Sequence, residues 1–179
     1  MKKFYIVIMI HFAQLSVAQE NQQTIDSLLQ VLKLLSSDFP EVKLAPGSDT
    51  TKVIVLNRLG RYYKSISDYE LSFKYSNEAK SCAQKSNYKK GEVVALNNLS
   101  IVNRSIGKYD SALVNLTDAL KISETLNDKR GVAACYHGIG VIYDNSGDSE
   151  KAMVFYLDAL KTFEELGDKK AVGISYNSI

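Results

Sequence analysis

Apolar residues recur at helical spacing along most of the chain, and their pattern repeats every forty residues. Each repeat holds two apolar runs separated by a short polar break, which predicts a pair of amphipathic helices, A and B. In the third repeat, helix A is predicted from about Asp128 to Asn145 and helix B from about Asp148 to Leu166. The repeats that align are 51–90, 91–130 and 131–170. Such self-similarity predicts an all-α solenoid, in which each unit buries its apolar face against its neighbours.

The polar breaks carry residues suited to helix ends. Asp148 and Asp168 can accept hydrogen bonds from the free N–H groups at a helix start. Other residues at these breaks can adopt the left-handed conformation that ends a helix or makes a tight turn. These residues are Asn87, Gly107, Asn127, Gly147 and Gly167.

The sequence before the repeats divides into two parts. Residues 1–18 have a basic start, an apolar stretch and a small-residue site ending at Ala18, which predicts a cleaved signal peptide. Residues 19–50 hold an apolar stripe from Thr24 to Ser36, predicted to be a capping helix, followed by a loop with both prolines. Residues 171–179 begin a fourth repeat, so we expect the natural chain to continue past Ile179.

The charge balance argues against a nucleic-acid or membrane-surface partner for this segment. Loss of Lys2 and Lys3 with the signal peptide lowers the Lys and Arg count from 22 to 20, which equals the 20 Asp and Glu. A near-neutral chain of this kind has no basic footprint for nucleic acid. The expected contact with a membrane is limited to a span downstream of the sequence.

The sequence offers little for catalysis, so no enzyme activity, cofactor or metal is predicted. His137 is the only histidine after the signal peptide, and no second histidine or cysteine has metal-ligand spacing. The glycines 138 and 140 begin a dinucleotide pattern but lack its third glycine and its strand, so helix packing explains Gly140 better. Cys82 and Cys135 lie in different repeats and are predicted to be buried thiols.

The repeats resemble tetratricopeptide repeats, whose usual length is about 34 residues. In the third repeat the family pattern falls on Tyr136, Ile139, Gly140, Tyr143, Ala152, Tyr156 and Ala159. The second repeat matches with Leu96, Leu99, Ser100, Ala112, Leu116 and Ala119, while Asn103 replaces the tyrosine. In the first, Leu56, Leu59, Gly60, Tyr63 and Ala79 fit, and Ser72 and Ser76 depart from the pattern. The resemblance implies a right-handed superhelix of antiparallel helix pairs whose concave groove binds a peptide or protein partner.

In that family the A helices line the groove, which implies a set of ligand-facing positions here. They are Asn57, Arg61, Lys64, Asn97, Ile101, Arg104, His137, Val141, Asp144 and Asn177. Asparagine recurs at one repeat position, either as a ladder that holds a peptide backbone or as solvated polar residues retained by duplication. Three basic side chains suit an acidic ligand at one end of the groove, whereas Asp144 weakens this at the other.

Repeats of forty residues behind a signal peptide resemble the N-terminal region of exported bacterial sensor histidine kinases and helix-turn-helix regulators. On this hypothesis the segment is the input module of a longer signalling protein, exported to the periplasmic side of a Gram-negative inner membrane. The alternative is a free-standing periplasmic or surface scaffold for protein assembly. The sequence names neither the partner nor the oligomeric state.

Overall fold

The computed structural model describes residues 22–30, 32 and 48–179. The chain divides into two compact units, Met1–Ser48 and Asp49–Ile179. In the first unit, residues 22–30 form helix α1 and Ile25 is buried. The described part of the predicted capping helix, 24–30 and 32, is thus helical. The predicted signal peptide, residues 1–18, lies outside the described residues.

The second unit consists of helices joined by short turns, and the described residues contain no strand. The helices are α2 (Ser48–Ser65), α3 (Tyr69–Lys85), α4 (Lys89–Ser105), α5 (Tyr109–Thr125), α6 (Lys129–Asn145), α7 (Ser149–Glu165) and α8 (Lys169–Ser178). From α3 onward each helix packs against the next, and α4 also contacts α6 across one intervening helix. This arrangement confirms the predicted all-α solenoid. Helices α2, α4, α6 and α8 are the A helices, and α3, α5 and α7 are the B helices.

The helix ends follow the sequence signals closely. The side chains of Asp128, Asp148 and Asp168 each accept a hydrogen bond from the backbone N–H three residues later, at 2.9–3.1 Å. All five predicted turn residues have positive φ, from 53° at Asn127 to 87° at Gly147. Ser67 also has positive φ, at 61°, although serine rarely adopts this conformation.

Helices A and B of one repeat approach closely where the A helix has a glycine. A Cβ atom on Gly140 would lie 2.7 Å from two ring carbons of Tyr156, and one on Gly60 would collide with the Ser76 Oγ. The first repeat departs from the family pattern here because serine replaces the apolar residues. Ser72 is fully buried, and its hydroxyl donates to the Gly60 carbonyl at 2.7 Å. This hydrogen bond gives the buried Ser72 hydroxyl a partner, and without one its burial would destabilise the fold.

The core continues from one repeat to the next. Leu96 of the second repeat packs in one cluster with Cys135 of the third, and Leu116 packs in another with Ile139 and Ile142. Burial raises the pKa of the Cys135 thiol to about 11, so it remains a neutral apolar group in the core. Both cysteines are free thiols, but the predicted burial of Cys82 is wrong, since this residue is only half-buried. None of the helices in the described part of the chain is long and apolar enough to cross a membrane.

Candidate functional site: a pocket between α4 and α6

A pocket of about 250 Å³ opens between the A helices α4 and α6. Five of the ten predicted ligand-facing residues line it: Asn97, Ile101, Arg104, His137 and Val141. The remaining lining residues are not among the predicted ligand-facing positions: Ser100, Leu116, Ala134, Gly138 and Ile142. The structure therefore brings the central part of the predicted set together in one concavity.

Gly138 lines the pocket at a position where the neighbouring pairs of A helices are joined by side-chain contacts. Asn98 on α4 donates from its side-chain Nδ2 to the backbone oxygen of Asn57 on α2 at 3.2 Å, and to its Oδ1 at 3.3 Å. The equivalent pair between α6 and α8 is His137 and Ser178, and the Ser178 Oγ lies 3.1 Å from the His137 Nε2. Gly138 occupies the equivalent position on α6 and has no side chain to reach α4. Gly138 instead lines the pocket with its backbone.

Leu116 closes the inner side of this space. A Cβ atom on Gly138 would lie 2.9 Å from one Leu116 methyl carbon and 3.2 Å from the other. Leu116 itself is buried in the core cluster that α5 and α6 share. The inner wall of the pocket is therefore a well-packed apolar side chain, and any larger residue at position 138 would displace it.

The structure corrects the prediction for Asn57. Its side chain is only 4% exposed, and its Nδ2 donates to the Gly91 carbonyl at 3.0 Å while its Oδ1 accepts from Asn98. Both ends of the amide are thus used between the first and second repeats. Asn57 stabilises the stacking of repeats and is not accessible to a ligand, so the asparagine positions do not form a uniform ladder.

Asn97 occupies the same repeat position as Asn57 but has a different environment. It is half-buried at the pocket, and none of the described residues forms a hydrogen bond with its side chain. The amide therefore has a donor and an acceptor directed to a space that a ligand can enter.

His137 lies on the opposite side of the pocket from Asn97. Its ring centroid is 5.5 Å from that of the buried Tyr156, and burial lowers the pKa of the imidazole below its usual value of 6.5. The side chain is consequently neutral at pH 7, and its contact with Ser178 uses one ring nitrogen.

The other predicted positions lie outside the pocket on exposed parts of the A helices. Arg61 and Lys64 are exposed on α2, Asp144 on α6 and Asn177 on α8. Arg104 lines the pocket, and its Nη1 donates to Asn145 Oδ1 on the next A helix at 3.4 Å. These residues extend the A-helix surface to both sides of the pocket.

Charge changes sign along the repeats. Residues 51–90 contain nine Lys and Arg against three Asp and Glu, whereas residues 131–170 contain four against seven. At the equivalent positions 64, 104 and 144 the side chains are Lys64, Arg104 and Asp144. The A-helix surface is therefore basic on the α2 side of the pocket and acidic at the end of α6.

The site offers no place for a metal among the described residues, where no group of three or more His, Cys, Asp and Glu side chains is arranged to hold one. The pocket is also smaller than the roughly 300–1,000 Å³ typical of drug-sized ligands. Its size and apolar inner wall suit a single side chain of a larger partner.

These features define an α-helical repeat protein with an accessible A-helix surface. Residues 52–125 match a family model described as tetratricopeptide repeat, and residues 133–165 match a second model with the same description. Together the matches span more than half of the sequence, and the chain belongs to the tetratricopeptide-repeat family. No curated protein sequence matches the chain.

Solved structures share this fold at low sequence identity. The tetratricopeptide domain of Arabidopsis FLU is 24% identical with a TM-score of 0.61, covering 65% of this chain and 98% of that domain. Aspartyl phosphate phosphatase F from Bacillus subtilis is 14% identical with a TM-score of 0.76, covering 89% of this chain and 40% of that protein. A signal transduction ATPase with a tetratricopeptide repeat sensor, from Pyrococcus horikoshii, is 23% identical with a TM-score of 0.64, covering 82% and 22% respectively. The chain therefore spans less than half of the last two proteins.

Proposed function

We propose that the A-helix surface of this chain binds an extended segment of a partner protein, centred on the pocket between α4 and α6. The observation that carries this proposal is that five predicted ligand-facing residues from two repeats line one pocket. The membership of the tetratricopeptide-repeat family supports a protein-binding module, since this fold is a non-catalytic interaction scaffold. Solenoids of this kind present extended surfaces on which a peptide can lie.

Selection of peptides from a random displayed library against the immobilised chain tests this function. We expect enriched peptides whose binding shifts the backbone amide resonances of Asn97, Ile101, His137 and Val141. The internal control is the exposed outer surface of the B helices, where Val114 and Val154 should not respond. Failure to enrich any sequence, or shifts confined to the B-helix side, would overturn the proposal.

The broader proposal is that this module is the input part of a longer exported signalling protein. Its support is the signal-peptide pattern of residues 1–18 and the fold shared with the tetratricopeptide repeat sensor of the Pyrococcus signalling protein. In this role, partner binding on the A-helix surface would be the signal that a downstream domain detects. The alternative is a free-standing periplasmic or surface scaffold.

The gene sequence beyond codon 179 and the location of the protein separate these roles. We expect an apolar span of about 20 residues followed by a histidine-kinase motif, and protease accessibility of the repeats from the periplasm. A stop codon after a polar capping helix would favour the scaffold. Repeats that are protected from protease until the inner membrane is opened would contradict export.

A further inference from the structure

We infer that the pocket at Gly138 accepts one aliphatic side chain of the partner, and that the partner carries acidic residues on the side facing α2. This inference rests on the proposed function and adds the chemistry of the ligand. The pocket lies at the one junction between the described A helices where a glycine, Gly138, takes the position held by Asn98 and Ser178 in the neighbouring repeats.

The aliphatic preference follows from the lining and the size of the pocket. Ile101, Leu116, Ala134, Val141 and Ile142 supply apolar walls, and the volume of about 250 Å³ suits one side chain. Burying an aliphatic side chain of the size of leucine or methionine there removes apolar surface from water on both partners. A lysine side chain would lose its hydration without gaining an opposite charge, because Arg104 is the only charged residue among the described residues that line the pocket.

The polar groups around the pocket suit the backbone on either side of that residue. The Asn97 amide can donate to a peptide carbonyl and accept from a peptide N–H, and no described residue occupies it. His137 is held neutral by burial, so it adds no charge that would oppose an aliphatic residue. The partner backbone therefore crosses the pocket between α4 and α6.

The acidic preference follows from the charges beside the pocket. Arg104 lines it, and Arg61 and Lys64 are exposed on α2, whereas Asp144 is exposed on α6. Carboxylates of the partner on the α2 side would meet Arg61 and Lys64, with Arg104 at the pocket itself. The same carboxylates on the other side would meet Asp144, so the charges also set the direction in which the segment lies.

A defined peptide array tests both parts. The dodecapeptides carry Leu, Ala or Lys at the central position. One flank of each peptide, N-terminal or C-terminal, is either acidic, with Asp and Glu, or basic, with Lys and Arg. We expect the tightest binding from central Leu with one acidic flank, at least tenfold tighter than the matched Ala, Lys or basic-flank peptides. Equal binding of the Leu, Ala and Lys series, or a preference for basic flanks, would overturn the inference. If no peptide of any series binds, the proposed function itself fails.

Variants of the protein locate the effect. Gly138→Leu should weaken binding of the Leu peptide at least tenfold. Binding of the Ala peptide, which is already weaker, should not change, because Leu-to-Ala in the peptide and Gly138→Leu in the protein remove the same contact. Gly173→Leu is the matched control, since no heavy atom lies within 4 Å of a Cβ built there. If Gly138→Leu lowers the melting temperature, Val141→Gln changes the pocket at a half-buried position outside the core cluster of Leu116, and it should weaken binding of the Leu peptide likewise. Wild-type affinity of a folded Gly138→Leu or Val141→Gln for the Leu peptide would contradict the assignment.

For the flanking charges, the double variant Arg61→Glu, Lys64→Glu should reverse the flank preference of the array from acidic to basic. An unchanged acidic preference would exclude the α2 side as the site of the partner's carboxylates.

Discussion

The side chain of Asn98 donates a hydrogen bond to the backbone oxygen of Asn57 at 3.2 Å, and so ties the second repeat to the first. In the next junction, between α4 and α6, each position is forty residues further along the chain. Asn97 takes the place of Asn57, and Gly138 takes the place of Asn98. The same place in two successive junctions is therefore a closed hydrogen-bonded contact in one and an open pocket in the other. This difference separates residues that stabilise the solenoid from residues available to a partner.

Asn57 and Asn97 should differ in their effect on stability, although they occupy the same repeat position. Asn57→Ala removes the buried side-chain donor to the Gly91 carbonyl and one of the two acceptors of the Asn98 amide, which should cost about 1–3 kcal/mol. Asn97→Ala removes no internal hydrogen bond and should change stability by less than about 0.5 kcal/mol. Urea unfolding followed by circular dichroism measures both. Equal losses in the two variants would contradict the assigned roles.

Gly140 should be intolerant of a side chain because α6 and α7 meet there. In Gly140→Leu the new side chain collides with the buried ring of Tyr156, and we expect a loss of about 1–3 kcal/mol, the usual cost of overpacking. Gly173→Leu introduces the same residue in α8, where the added Cβ meets no heavy atom within 4 Å, and should not destabilise the chain. Thermal melting of the pair measures the effect. A wild-type melting temperature for Gly140→Leu would show that the A–B register is wrong.

The stability of the repeats should fall on mild acidification, in part through His137. Burial lowers its pKa below 6.5 in the folded chain, so the unfolded chain takes up its proton first as the pH falls. The contribution of this group is constant above about pH 6.5 and declines as the pH drops from there towards the lower, folded pKa.

Replacement by the amide found at positions 97 and 177 isolates this effect. Between pH 8 and pH 5.5 the melting temperature of His137→Asn should fall less than that of the wild type, since only the wild type has the imidazole at this site. The carboxylates are common to both proteins and serve as the internal control. Melting temperatures that fall in parallel would show that His137 does not titrate differently on folding.

The repeat period was enough to predict the fold, because each helix buries a stripe that recurs every forty residues and each turn needs a residue suited to positive φ. Gly147 and Asn127 were identified on this ground, and the structure places both at left-handed turns. Ser67 was not, since serine carries no strong signal for that conformation. Local sequence thus predicts elements well where the backbone itself restricts the residue type.

The site was only partly predictable because exposure at one repeat position depends on what the next repeat places opposite it. Asn57 and Asn97 are identical in sequence and repeat position, yet Asn98 covers one and Gly138 leaves the other open. A repeat alignment that compares facing positions between neighbouring A helices would have revealed Gly138 as the exception. Leu116 could not be found in this way, since it reaches the pocket from a B helix.

Calorimetric titration of the tightest peptide from the library selection into wild type and Asn97→Ala shows whether the Asn97 amide holds the partner's backbone. We expect the substitution to weaken binding by about 1 kcal/mol, close to fivefold in Kd, because the peptide backbone loses its amide partner at the pocket. Helix content and melting temperature should remain those of the wild type, which assigns the loss to the ligand contact. An unchanged Kd for Asn97→Ala would contradict the claim that the partner crosses the pocket between α4 and α6.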